Sequence, residues 1–212
     1  MNNISSERIL SNVLPDGTTL SIEFERTADR FRHVLSIVEP ENPEHSCSIL
    51  RSVEGNAQQQ WPASPPLQEL LIETRPTGPV ALLLGMAGTS HWSISVERSI
   101  EQTGFQFDCA CRIVDPADFL GCCYNLLTYN KKESANVEAS EFLRSGYGLS
   151  ATVTPHYSIS ISQADIQKNS AVDAIQFSGD DGLWRIACQA TETELPATIR
   201  WAYSIVLDQL PE

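Results

Sequence analysis

A four-strand stretch between Val80 and Tyr129, with clear two-residue alternation in its second and third strands, limits what this chain can fold into more than any other feature. Successive residues of a β-strand point to opposite faces, so such a pattern builds one apolar and one polar face. Trp92, Ile94 and Val96 alternate with Ser93, Ser95 and Glu97. Phe105, Phe107, Cys109, Cys111 and Ile113 alternate with Gln106, Asp108, Ala110 and Arg112. The stretch reads as a four-strand meander over Val80–Met86, His91–Glu97, Phe105–Val114 and Leu120–Tyr129.

Pairing must keep apolar opposite apolar, because a one-residue slip would turn the whole apolar set into water. That condition places Val96 opposite Phe107, Ile94 by Cys109, Trp92 by Cys111, Ser95 by Asp108 and His91 by Arg112. The same hairpin logic places Cys122 opposite Ile113. The first strand, Val80–Met86, is apolar without a break, which suits a strand covered on both faces. The mixed fourth strand suggests the same.

Strand signals continue on either side. Pro15-Asp16-Gly17 and Asp180-Asp181-Gly182 are Asp-Gly hairpin signals. Pro62, Pro65 and Pro66 keep residues 55–66 out of any central strand, since proline lacks the ladder donor. Ser134 is placed to cap a short helix over Ala135–Arg144. The expected fold is all-β: an antiparallel β-sandwich or flattened barrel of about eleven or twelve strands, with at most one or two short helices. Residues 1–212 read as a single all-β domain. A subdivision near 130–148 is the alternative, disfavoured because the tail beyond it is short for an independent core.

The net charge of −13 disfavours a nucleic-acid partner, which needs a basic patch, and an anionic membrane surface. The start of the chain lacks a basic segment leading into an apolar one, and no apolar run reaches membrane-spanning length. The six cysteines, at 47, 109, 111, 122, 123 and 188, sit in strand-like runs rather than in a loop-stapling frame. A cytoplasmic protein with reduced thiols is the expectation.

Cys109 and Cys111 share one strand face, but their spacing is not that of the zinc knuckles that turn the chain around the ion. Core packing is the simpler role, and a Cys-based metal module the weaker alternative. His33, His45, His91 and His156 form no ligand motif. No Gly-x-Ser-x-Gly elbow or phosphate loop is present. No cofactor or metal is expected. The polar face of the meander carries the candidate ligand-binding residues His91, Glu97, Asp108 and Arg112, and Trp61 in the proline-rich loop is a further aromatic candidate. The expected function is a non-enzymatic binding or interaction module for a protein or small molecule, with a second copy of the chain among the candidate partners. The alternative is a small-molecule enzyme, a hydrolase or isomerase working from this polar face with Asp108 or Glu97 as base and Arg112 as anion clamp.

Overall fold

A computed structural model describes residues 8–100, 102–127, 148–164, 172–180, 183–190 and 194–210. These form fourteen strands, more than the eleven or twelve expected, and no helix among the described residues. The proposed helix over Ala135–Arg144 lies outside them.

Two antiparallel seven-stranded sheets pack face to face. The facing sheet has the order β1 (Ile9–Val13), β2 (Thr19–Thr27), β3 (Arg30–Val38), β4 (Ser46–Ser52), β9 (Gly121–Leu126), β13 (Leu183–Ala190), β12 (Val172–Asp180). The meander sheet has the order β10 (Gly148–Thr154), β11 (Tyr157–Gln163), β14 (Ala197–Gln209), β8 (Gly104–Ile113), β7 (Ser90–Arg98), β6 (Gly78–Ala87), β5 (Leu67–Arg75). Among the described residues both sheets have free edges, so the architecture is a sandwich and not a closed barrel.

The local signals hold. Val13 pairs with Thr19 around the first turn, where Gly17 has φ +91° and Asp16 Oδ1 accepts the Thr18 amide at 2.9 Å. The β7–β8 register is the one expected, from Val96 opposite Phe107 to His91 opposite Arg112.

The fourth meander strand departs from expectation. β9 does not pair with β8, and Cys122 is not opposite Ile113. β9 lies in the facing sheet between β4 and β13, with Cys122 opposite Ile186. The edge of β8 is taken by β14, which sets Trp201 beside Cys109 and Ile199 beside Cys111. Both strands offer the right alternation, but the 114–120 connection is too long for a tight hairpin and crosses between the layers.

One core fills the space between the sheets and runs from Leu10 to Leu207. Phe107 and Tyr203 stack with ring centres 4.7 Å apart, and Trp92 meets Trp201 edge-on at 6.1 Å. Such offset and edge contacts are favoured by the ring quadrupoles. At Gly85 the chain approaches itself: an added Cβ would lie 1.7 Å from the Pro66 carbonyl oxygen. This contact seats the proline-rich segment against β6. Trp61 is half-buried there and packs on the core.

Candidate functional site

The outer face of the meander sheet carries most of the candidate residues. Inner positions of β6 and β7 pack into the core, so Leu82, Leu84, Met86, His91, Ser93 and Ser95 point outward by alternation. The expectation that β6 is covered on both faces fails at its end. Leu84 is 53% exposed and Met86 47%, and on the neighbouring edge strand Leu71 is 59% exposed. Leu71 pairs with Leu82, and Glu69 with Leu84, so the exposed apolar residues form one stripe with an acidic rim.

Two clefts run along this stripe. One of about 400 Å³ is bounded by Glu69, Leu84, Met86, His91 and Arg112. The other, about 540 Å³, continues over Leu71, Leu82 and Asp108 to Arg200. They share Glu69, Leu84, Ser93 and Ala110. Ser93 sits opposite Ala110, and these small side chains leave the floor low between taller walls. A bulge at Gln68 shapes one end. Its side-chain amide accepts from the Met86 amide and donates to the Met86 carbonyl, both at 3.0 Å. The side chain thus stands in for the ladder partner that the bulge displaces.

The candidate residues separate into groups. His91 and Arg112 are cross-strand partners, and both line the first cleft. Asp108 lines the second, where the Arg200 guanidinium donates to it at 2.8 Å. Glu97 pairs with Gln106 and Val80, six residues along β7 from His91, roughly 20 Å away at strand rise. Trp61 lines neither cleft. Sequence reasoning missed Gln68, Glu69, Leu71, Leu84 and Met86. The available signal was the unbroken apolar run of Val80–Met86 beside a serine-bearing strand.

A second polar group lies inside the sandwich. His33 Nε2 is 2.6 Å from the Tyr124 hydroxyl, which is 2.7 Å from the Tyr203 hydroxyl. Ser52 Oγ accepts the His33 amide at 3.0 Å and donates to Glu54 Oε1 at 2.6 Å. Burial pushes the His33 pKa down to about 3 and the Glu54 pKa up to about 7, since each loses hydration of its charged form. For Glu54 the Ser52 hydrogen bond and the charges of Arg30 and Arg32 oppose this. Glu54 Oε2 is buried without a hydrogen-bond partner among the described residues.

The cysteines meet in a way the hairpin model did not foresee. Cys109 and Cys122 approach from opposite sheets closely enough for their thiols to interact. Burial pushes the Cys111 and Cys188 thiols up to about 12 and Cys123 up to about 11. Such thiols are protonated and poor nucleophiles. A cleft of about 510 Å³ at the sandwich end is lined by Glu39, His45, Cys47 and His156. Among the described residues no three His, Cys, Asp or Glu side chains converge as a metal site would require. No described helix is long and apolar enough to cross a membrane.

No protein-family model matches the chain, and no curated protein or solved structure shows significant similarity to it.

Proposed function

We propose that this protein is a non-enzymatic binding module whose ligand lies along the outer face of the meander sheet. One observation carries the reading: an exposed stripe of Leu71, Leu84 and Met86 lies beside a low floor and ends at Arg112 and His91. Contiguous exposed apolar surface bounded by polar residues marks binding sites more often than isolated exposed leucines do. Binding ranks ahead of hydrolysis because Asp108 is engaged by Arg200 and lies four residues, roughly 13 Å, along β8 from Arg112. The chain's charge of −13 argues against nucleic acid and anionic membranes as partners. Free cysteines throughout fit a reducing compartment, and we place the protein in the cytoplasm.

The test uses a neutral environment-sensitive apolar dye such as Nile red. It should bind the wild-type chain saturably, with a blue-shifted emission that Leu84→Ser and Leu71→Ser each weaken several-fold. Binding at the wild-type level by both variants, or no binding at all, overturns the reading.

A further inference from the structure

We propose that the ligand of this groove is a medium-chain aliphatic carboxylic acid, its carboxylate held by Arg112 and its tail laid over Leu84, Leu82 and Leu71. This rests on the groove being the binding face and adds the chemistry of the ligand.

The groove is chemically polarised along its length. At one end the exposed Arg112 lies opposite the exposed His91 across the β7–β8 pair, and both line the cleft. Arg112 forms no ion pair among the described residues, whereas Arg200 spends its charge on Asp108. A guanidinium fork matches a planar carboxylate through two parallel hydrogen bonds, a fit a rounded ammonium cannot make. The Thr198 hydroxyl belongs to the same cleft and lies beside Arg112 on β14.

Toward the other end the groove becomes apolar. From the level of His91 to that of Ser95, opposite Leu82, β7 advances four residues, roughly 13 Å. Met86, Leu84 and Leu82 flank that path on β6, Leu71 stands one strand further out on β5, and Ser93 and Ala110 keep it open. An extended aliphatic tail of moderate length fills such a path and removes both surfaces from water.

A single guanidinium limits the head group. Among the described residues Arg112 is the one arginine lining the first cleft, so a second negative charge on the ligand would find no second guanidinium there, and Glu69 adds negative charge to the rim of both clefts. A monoanion is therefore favoured over a phosphate dianion. With the chain at −13, long-range steering does not bring an anion in. The apolar tail has to supply much of the affinity, and an acid without a tail should not bind.

Isothermal titration of the full chain with decanoate, decanol and acetate tests this. Decanoate should bind one to one and at least about 10-fold tighter than decanol, and acetate should not bind. In Arg112→Gln the decanoate advantage over decanol should disappear while the melting temperature stays at the wild-type value. Equal affinity for decanoate and decanol would overturn the head-group assignment and leave the apolar groove standing. Binding of Nile red without binding of either ten-carbon compound would overturn the ligand class while sparing the groove. If neither the dye nor either compound binds, the groove reading falls too. Tighter binding of N-acetyl-trileucine, which ends in a free carboxylate, would reassign the site to a peptide C-terminus and overturn the proposal.

Discussion

His33 and Tyr124 meet at 2.6 Å between the two sheets, one from β3 and one from β9, with His33 2% exposed and Tyr124 fully buried. Tyr203 of the opposite sheet completes the chain at 2.7 Å. A buried polar group left without its partner is destabilising, so these three side chains favour one relative placement of the sheets. Tyr124→Phe should lower the unfolding free energy by about 1–3 kcal/mol, because it strands the His33 nitrogen and the Tyr203 hydroxyl. The double variant with Tyr203→Phe should lose less than the sum of the singles, as measured by urea denaturation. Strict additivity would show that the three groups do not act as one network.

A buried histidine and a half-buried glutamate pull the pH dependence in opposite directions. The fold rejects a proton at His33 that the unfolded chain binds below its ordinary pKa of 6.5. That contribution is complete above pH 6.5 and is lost as pH falls toward about 3. Glu54 is held protonated by burial, so its contribution is complete below pH 4.5 and is lost as pH rises toward about 7. Between these unfolded-state values the slopes oppose one another. Relative to wild type, Glu54→Gln should gain up to about 1.4 kcal/mol of stability per pH unit in that window. Parallel stability curves for the two proteins would rule out this role for Glu54.

The thiols give a simple chemical test. Five of the six cysteines are buried, and Cys47 alone is partly exposed. A thiol reagent at neutral pH should label at most Cys47 in the folded protein and all six after unfolding. Rapid labelling of Cys109 or Cys122 in native buffer would mean that the sheets separate readily.

Gly85→Ala tests the seating of the proline-rich loop. Its Cβ would meet the Pro66 carbonyl at 1.7 Å, and backbone cannot yield as a flexible side chain can. A loss of about 2–4 kcal/mol is expected, with a change in tryptophan emission as Trp61 is displaced. A near-neutral variant would show that the loop is held elsewhere.

Asp108→Asn should behave differently. The Asp108–Arg200 pair is at the surface, with side chains 40% and 54% exposed. Its removal should change stability by less than about 1 kcal/mol, read from the denaturation midpoint. A larger loss would make the pair a structural tie across β8 and β14.

The sequence alone determined what is local. Alternation fixed which face each meander residue takes, and the demand that apolar meet apolar fixed the β7–β8 register down to His91 and Arg112. Asp16 and Gly17 placed the first hairpin. Alternation does not say which sheet a strand joins, because any strand with a matching apolar face satisfies a free ladder edge. The tertiary structure decided that β14, not β9, lies beside β8. It thereby brought Cys122 and Tyr124 across the core from Cys109 and Tyr203. It also decided the candidate site. Leu84 and Met86 look like core in the sequence, and only the absence of a layer over them among the described residues makes them a surface. Faces follow from the two-residue period of the backbone, whereas exposure depends on what the rest of the chain places on each face.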